Sequence, residues 1–313
     1  YKSLRSRKFT VAPHGGFDGF DIYRKTRSNT DDYRMGLTGF LNGAATSTDV
    51  VTNFETLTAT ATIATGGTAD VARGIDANVI SGITTIKAEL DNLDTATAHN
   101  SGEDITLTVS DLIAGQTVQV SAVDHTVNTN DTDVVLDMDS PTGSSDKIIF
   151  ESVASSAATA HVNVFDNVTV NTTSVSSTTE RVEILEIKAS NPNVTTTVGT
   201  TIDDLVADDT ATINFTGASN ITVGEVKIYD SSTADTTVGT IDASAFTGNL
   251  TLGTSTQDFK TDNADDITLT LGTGTNAVYV GTTLGTEDTI TGSLGTADTL
   301  HVTGGGGVPS AVT

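Results

Sequence analysis

The feature that most constrains this chain is a two-residue alternation of aliphatic and polar side chains, which runs through most of residues 100–304. Because successive side chains of a strand point to opposite faces, this period predicts strands with one buried and one polar face. Gly, Asn, Asp and Thr separate the runs, as they do in all-β folds. The alternation is found at Ile105–Val109, Val118–Ala122, Val162–Val170, Val182–Ile187, Ile221–Ile228, Leu250–Leu252, Ile267–Leu271 and Val278–Val280. The sequence therefore predicts a mainly β fold, either a β-sandwich or a stacked, β-solenoid-like arrangement.

Composition adds that the core of this fold is thin. Hydrophobic residues make up 36% of the chain, aromatic residues only 5%, and there is no Trp. A core built from Val, Ile and Leu suits an elongated β structure, in which each layer buries a few aliphatic side chains. The net charge of -25 would also fit disorder. The regular alternation of β-branched residues argues against that alternative.

One segment between residues 39 and 100 has a different period. Residues 75–94 place aliphatic side chains three and four positions apart, which predicts an amphipathic helix. The stripe consists of Ile75, Val79, Ile83, Ile86, Leu90 and Leu93. Upstream of it, Thr56–Ile63 is predicted to be a strand.

The charge is distributed unevenly and suggests a division of the chain. Residues 1–35 hold eight Lys and Arg against four Asp, whereas the remainder holds 7 basic and 36 acidic residues. We expect a basic segment at 1–38, a connector rich in Thr, Ala and Gly with the helix at 39–100, and an acidic all-β region at 101–313. The acidic region would repel nucleic acid and anionic membranes. Since the chain starts at Tyr1, we expect it to be a processed product or an excerpt of a longer protein.

Weak repeats at residues 264–304 suggest a calcium site. Four units end in an aliphatic residue, and two of them carry Leu-Gly-Thr just before an acidic pair or an Ala-Asp pair. Their Gly and Asp pattern resembles a degenerate form of the calcium-binding β-solenoid repeat, in which Asp oxygens bind Ca²⁺ between coils. The candidate ligands are Asp265, Asp266, Asp288 and Asp298. The alternative is that these side chains close solvated turns.

Several classes of function lack a sequence signal. There is no Cys, which excludes disulfides and thiol chemistry, and no run of 18 apolar residues predicts a membrane span. No Gly-x-Ser-x-Gly elbow or phosphate-binding Gly loop with Lys is present, and the five His are scattered. Carboxylates are plentiful enough for a glycosidase pair, but aromatic sugar platforms are scarce. We therefore expect a non-enzymatic protein, with a polysaccharide-acting enzyme as a distant alternative.

The N-terminal segment resembles a known family. Residues 8–34 run from Lys8-Phe9-Thr10-Val11-Ala12 through Gly15-Gly16-Phe17-Asp18-Gly19 to Asp31-Asp32-Tyr33. This string is similar to the Gly-Gly-Phe-Asp-Gly segment of contractile phage tail sheath proteins. In that family the segment lies in the shared scaffold, shortly before an α/β core. Here a long β region follows instead of the expected continuation.

Residues 100–304 are similar to bacterial surface-layer and adhesin proteins. The likeness is carried by Thr240–Leu252 and by the Gly-Thr-Glu-Asp-Thr-Ile unit that ends at Ile290. Together, the two resemblances imply a tail sheath subunit that carries an inserted, outward-facing β domain on the virion exterior. The alternative is a surface-layer or adhesin subunit at the cell surface, with the basic segment as its anchor.

Both alternatives predict association with further copies of the same chain in a helical or planar assembly, with a host surface or glycan as a further partner. Aromatic and Arg side chains favour interfaces. The predicted assembly interface consists of Phe9, Gly15, Gly16, Phe17, Asp18, Gly19, Phe20, Tyr23, Arg24 and Arg27.

Overall fold

The fold is described from a computed structural model. It describes residues 7–10, 20–24, 55–63, 71–77, 82–92, 105–123, 132–138, 146–153, 163–172, 182, 184–190, 199–208, 212–229, 239–259, 266–280, 284–285, 288–293 and 297–302.

Within these residues every regular element is a β-strand, and there are twenty of them. The strands of the first half are β1 (Arg7–Thr10), β2 (Phe20–Arg24), β3 (Thr56–Ile63), β4 (Val71–Asp76), β5 (Thr85–Asn92), β6 (Ile105–Leu112), β7 (Thr117–Val123), β8 (Thr132–Met138), β9 (Lys147–Ser152) and β10 (Asn163–Thr172). Those of the second half are β11 (Ile184–Ala189), β12 (Thr200–Asp208), β13 (Thr212–Gly217), β14 (Ile221–Tyr229), β15 (Gly239–Asp242), β16 (Leu250–Leu252), β17 (Ile267–Thr270), β18 (Ala277–Tyr279), β19 (Thr289–Thr291) and β20 (Thr299–His301). The predicted strand Thr56–Ile63 is confirmed.

From β3 onward, each strand pairs in parallel with the strand two positions later in the chain. The odd-numbered strands β3 to β19 therefore form one nine-stranded parallel sheet, called here the odd sheet, and the even-numbered strands β4 to β20 form a second, the even sheet. We call two successive strands, one from each sheet, a coil; each coil pairs in parallel with the next through both of its strands. Of the two arrangements left open by the sequence, this pairing is compatible with the solenoid-like stack.

Both sheets contribute to one aliphatic core. The strands alternate buried and half-buried residues, as in β8, and the buried set extends from Leu57 to Ile290. Phe150 on β9 and Phe165 on β10 meet edge to face, with 5.3 Å between their ring centroids. The core therefore lies between the odd and even sheets, and alternate polar side chains lie on the two outer faces.

The first two strands are arranged differently. Strands β1 and β2 form an antiparallel pair, and β2 pairs antiparallel with β3 through Phe20↔Ala59 and Asp21↔Thr58. Phe9 and Thr10, which belong to the string that resembles tail sheath proteins, lie on β1. The basic segment is thus joined to the outer edge of the first strand of the odd sheet.

The predicted helix at residues 75–94 is wrong. Its residues belong in part to β4 and β5, which are separated by a turn at Gly82 with φ of 91°. Ile86 and Leu90 are buried on β5 because alternation places them on one face, together with Ala88, which the helical stripe left out. The three- and four-residue spacing arose because two strands in different sheets were read as one element. The predicted division at residues 38 and 100 stays a prediction, and β5 pairs with β7 across the second boundary.

An irregularity recurs in three neighbouring strands of the even sheet. In β12 the pairing passes from Ile202 to Asp204, and the buried residues Ile202 and Leu205 are three positions apart instead of two. The skip is matched in β10 and β14, so the register passes over Asp166, Asp203 and Gly224 together. We call these three residues the bulge line. A one-residue insertion in a strand inverts its alternation, so stacked neighbours must carry the same insertion.

Candidate functional site

Part of the predicted assembly interface lies on described strands. Phe9 is on β1, opposite Ile22 of β2, and β2 also carries Phe20, Tyr23 and Arg24. Gly15, Gly16, Phe17, Asp18, Gly19 and Arg27 lie outside the described residues. The structure therefore places part of this set on one antiparallel hairpin, and its role as an interface stays a prediction.

The candidate calcium ligand Asp288 lies in a turn before β19 and is 2% exposed. Its Oδ1 accepts a hydrogen bond from the Ile267 backbone N–H at 2.9 Å, and its Oδ2 accepts one from the Gly285 N–H at 2.6 Å. The first of these bonds reaches the previous coil. Both carboxylate oxygens of Asp288 thus bind backbone donors, and the bond from Ile267 joins two coils.

Asp298 makes the corresponding hydrogen bonds in the turn before β20. Its Oδ1 accepts hydrogen bonds from the backbone and side-chain amides of Asn276, and its Oδ2 accepts them from the backbone and hydroxyl of Ser293. Burial alone would raise the pKa of Asp298, but these hydrogen bonds outweigh burial and hold the pKa below its ordinary value. The charged form of Asp298 is therefore the form that the turn stabilises.

Of the other two candidates, Asp266 precedes β17 and accepts a hydrogen bond from Gly239 N–H through its backbone carbonyl, and Asp265 is outside the described residues. Among the described residues no three His, Cys, Asp or Glu side chains come together as metal ligands. A Ca²⁺ ion at Asp288 or Asp298 would have to compete with the backbone donors that now occupy the carboxylates. Calcium binding stays a prediction.

The asparagines in the turns between the two sheets were not singled out from the sequence. Asn276 is 1% exposed; its Oδ1 accepts from Leu250 N–H, and its Nδ2 donates to the carbonyls of Gly272 and Gly274. Asn249 accepts from Thr275 N–H in the same way. The available signal is an Asn directly before the first residue of β14, β16 and β18. These side chains form a ladder that links each turn to the next.

Glycine is required in these turns. An added Cβ at Gly274 would overlap the carbonyl oxygen of Gly248, and one at Gly272 would overlap that of Phe246. The turns of successive coils are therefore packed backbone against backbone, which leaves room for the Asn276 side chain but for no additional atom on the glycines.

The outer face of the odd sheet carries ion pairs between neighbouring coils. Lys147 on β9 binds Glu186 on β11 at 2.7 Å, and Lys188 on β11 binds Glu151 on β9 at 2.9 Å. Burial would raise the pKa of both carboxyls, but hydrogen bonds from these lysines and from neighbouring polar side chains outweigh it and lower both pKa values. The two carboxylates are thus held ionised by cations, an arrangement that favours cohesion between strands over proton transfer.

A similar cluster lies on the outer face of the even sheet, beside the bulge line. Lys227 binds Asp204 and Glu225, both at 3.0 Å, and Gln257 donates to Glu225 at 3.4 Å. Burial would lower the pKa of Lys227, but the hydrogen bonds and charges of the two carboxylates outweigh it and raise the pKa. Nearer the N-terminal end of the same sheet, Asn167 donates to Asp133 at 2.8 Å. Here too, polar side chains on successive coils bind one another, although Oε1 of Glu225 is buried without a hydrogen-bond partner among the described residues.

A shallow groove of about 530 Å³ lies beside the turns that follow β11, β13 and β15. Small residues without charge line it: Ala189, Ser190, Gly217, Ala218, Ser219, Ala245 and Thr247. Its lining offers no general acid, base or metal ligand.

Within the described part of the chain, no helix is long and apolar enough to cross a membrane. No protein-family model, no curated protein and no solved structure matches the sequence or the fold of this chain.

Proposed function

We propose that this protein is a non-enzymatic structural subunit of a repetitive surface assembly, most specifically a contractile phage tail sheath subunit on the virion exterior. The observation that carries the proposal is the pairing of strands two positions apart over nine strands in each sheet. A stack of this kind contacts only its neighbouring coils and forms a stiff, solenoid-like body. Such a body suits a domain that projects from an assembly.

The outer faces support this proposal. Their carboxylates are paired with lysines on neighbouring coils, and Thr212, Thr240, Thr268 and Thr289 are aligned across four strands of the odd sheet. A polar face with an overall acidic charge keeps crowded copies soluble and apart from one another. The two outer faces of the stack would therefore face solvent and make no contact between copies.

In this proposal the basic segment, residues 1–38, forms the contacts between subunits of the assembly. Strand β2 of this segment pairs with β3, the first strand of the odd sheet. A hydrogen-bonded connection of this kind would transmit the orientation of the assembled scaffold to the projecting stack. Phe9, Phe20, Tyr23 and Arg24 are the described residues that we assign to the interface.

A surface-layer or adhesin subunit at the cell surface is the second candidate. It is favoured by the Thr-rich outer face and by the resemblance of Thr240–Leu252 and of the Gly-Thr-Glu-Asp-Thr-Ile unit to surface-layer and adhesin proteins. The same basic segment would then anchor the subunit, with a glycan or another surface polymer as its partner.

Sedimentation of the full chain over a range of concentrations tests the proposed role of the basic segment. Neutralising it with Arg7→Gln, Arg24→Gln and Arg27→Gln is expected to weaken self-association by tenfold or more, about 1.4 kcal/mol. The matched control makes the same change in net charge at exposed turn positions, with Ala114→Glu, Ser255→Glu and Thr273→Glu.

Electron cryomicroscopy of the assembled particle then identifies the assembly. Contacts made chiefly by residues 100–304, with residues 1–38 in solvent, would contradict the proposal. A planar lattice on a cell envelope instead of a cylinder would favour the second candidate.

A further inference from the structure

The last strand of each sheet leaves half of its backbone hydrogen-bonding groups without a described partner. On β20, Thr299 N–H donates to Asn276 and the His301 carbonyl accepts from Val280 N–H, so residues 299 and 301 face β18. Successive residues of a strand alternate sides, so the N–H and C=O of Leu300 face away from β18. On β19, by the same reasoning, Ile290 faces away from β17, because the Thr291 carbonyl accepts from Leu271 N–H.

The side chains at this end also form an incomplete layer. Leu250 and Leu252 in the preceding coils are fully buried, whereas Leu300 and Leu284 are only partly buried and Val302 is 38% exposed. In the middle of the stack a coil has neighbours on both sides. Among the described residues, none covers the outer side of the last coil.

The outer face of the same edge carries an aromatic stack. The rings of Tyr279 and His301 lie parallel, with 4.0 Å between their centroids and 3° between their planes. They occupy paired positions on β18 and β20. Since Tyr279 covers one face of the His301 ring, the opposite face is directed toward the open edge.

The opposite end of the even sheet presents the complementary half of a parallel ladder. Among the described strands, β4 pairs only with β6, while the corresponding strand of the odd sheet, β3, is paired with β2. Inside a parallel stack, every strand bonds the next one through the same two edges. The free edge of the last strand therefore matches the free edge of the first strand, as if the two were neighbours in the stack.

The charges at the two ends are also complementary. The described strands β1 and β2 carry Arg7, Lys8 and Arg24 against one carboxylate, Asp21, whereas the described residues between 266 and 302 include Asp266, Asp288 and Asp298 and no Lys or Arg. Attraction between a basic end and an acidic end favours head-to-tail contact over tail-to-tail contact.

From these observations we propose that the C-terminal edge binds the N-terminal edge of a second copy, so that β20 of one copy pairs in parallel with β4 of the next. This inference rests on the proposed function, because it names the surface through which copies of the structural subunit associate in addition to the basic segment. A head-to-tail contact of this kind is heterologous, so it produces a chain of copies or a ring.

The substitution Leu300→Pro tests the contact. Proline removes the N–H that faces the open edge and is tolerated on edge strands, so the bonds from residues 299 and 301 to β18 remain. Leu300→Ala is the matched control, because it loses the same side-chain packing but keeps the N–H. Sedimentation of the full chain is expected to show association weakened tenfold or more by Leu300→Pro relative to Leu300→Ala, with equal thermal unfolding of the two variants.

Mixing two variants establishes the direction of the contact. One chain carries Leu300→Pro, and the other carries Ala72→Pro and Gly74→Pro on β4. The Ala77 N–H donates to Ser110 at the end of the β4–β6 pairing, so by alternation the N–H groups of Ala72 and Gly74 face away from β6. The matched control, Ala72→Ser with Gly74→Ala, keeps both N–H groups, and no atom lies within 4 Å of an added Cβ at Gly74. Each proline variant retains one intact end, so a mixture of the two is expected to form a one-to-one dimer. Either variant alone is expected not to associate through this contact.

The outcomes separate this inference from the proposed function. If the unmodified chain is monomeric at all concentrations, both are overturned. If it associates and Leu300→Pro associates as well as Leu300→Ala, the edge contact is overturned and association through the basic segment stands. If Leu300→Pro alone forms the same oligomers as the mixture, the contact is not head-to-tail and the proposed pairing is overturned.

Discussion

Strands β9 to β14 and strands β15 to β20 follow the same pairing rule, but they differ in length and in what joins one coil to the next. The middle strands are six to ten residues long, and the C-terminal strands are three or four. The middle coils bury two facing phenylalanines and carry ion pairs on their outer faces. The C-terminal coils instead concentrate hydrogen bonds from Asn276, Asp288 and Asp298 in their turns.

This difference shows how a stack compensates for shorter strands. Each residue removed from a strand removes apolar area worth about 25 cal/mol per Å² and one backbone hydrogen bond to each neighbour. Side chains that bind the backbone of the adjacent coil restore part of that cohesion without widening the coil. We therefore expect the middle coils to depend on packing and the C-terminal coils to depend on their turns.

The largest effect is expected in the middle of the stack. Phe165→Ala removes a fully buried ring that packs edge to face on Phe150, and it should lower the free energy of unfolding by about 3–5 kcal/mol. Thr169→Ala, on the polar face of the same strand, is the control and should change it by less than about 0.5 kcal/mol. Denaturant unfolding measures both. A loss below about 1 kcal/mol for Phe165→Ala would contradict the dependence of the middle coils on packing.

The next effect is expected in the C-terminal turns. Asn276→Ala leaves the Leu250 N–H and the Gly272 and Gly274 carbonyls without their present partner, and it should cost about 2–3 kcal/mol. The side chain of the exposed Asn249 accepts a hydrogen bond from the Thr275 N–H, so Asn249→Ala should cost about 1 kcal/mol. Thermal unfolding measures the loss of stability in both variants. Equal losses would show that the contribution of an asparagine in the ladder does not depend on its burial.

A glycine substitution probes the close packing of the same turns. Gly274→Ala places a Cβ against the Gly248 carbonyl and should cost about 1–3 kcal/mol, because the backbone of one turn must shift. Gly74→Ala on β4 has free space around the new Cβ and should be neutral or slightly stabilising. Calorimetry checks both, and a neutral Gly274→Ala would mean that the turns separate easily.

The smallest effect concerns pH and salt, and it compares Glu186 with Asp298. The folded state lowers the pKa of both carboxyls, so each contributes stability above its ordinary pKa that is lost as the pH falls through the lowered value. Glu186→Gln and Asp298→Asn should each flatten the decline of stability below about pH 4.5.

Salt separates the two carboxylates. Glu186 pairs with a lysine, so the effect of Glu186→Gln near neutral pH should shrink at 1 M salt, where the Debye length is about 3 Å. Asp298 binds amides and a hydroxyl, so the effect of Asp298→Asn should remain. An equal salt response of the two variants would count against this distinction between the regions.

Much of the fold could be predicted from the period of two, because alternation depends only on which residues are aliphatic. Strand β3 has its predicted bounds, and most strands after residue 100 fall on predicted runs. Parallel pairing could not be read from the pattern, because alternation specifies which face is buried but not which strand lies alongside. The helix prediction failed because Ile75 and Ile83 lie on opposite sides of a turn, and their spacing to Ile86 imitates a helical stripe.

The sequence was less informative about the candidate sites. The aspartates of the C-terminal repeats are recognisable, but their partners are backbone N–H groups of adjacent coils, which depend on how the coils are stacked. Asn276 taken alone resembles any turn residue; its signal is the recurrence of an Asn directly before β14, β16 and β18, which becomes visible only once the strand starts are known. One local irregularity is visible in the sequence: Val223 and Val226 are separated by three positions where a strand would have two.

That gap belongs to the bulge line of Asp166, Asp203 and Gly224, which behaves like a dislocation in a layered crystal. It begins at β10 because β8 pairs only with residues 167–172, and it ends at β14 because β16 pairs only with residues 221–223. Such a defect cannot stop inside a regular stack; here it stops at the two strands, β8 and β16, whose described ladder pairing does not extend past it. Deleting Asp203 alone would therefore shift the register of β12 against both of its neighbours. Deleting all three residues together would keep the register and restore regular alternation in the three strands.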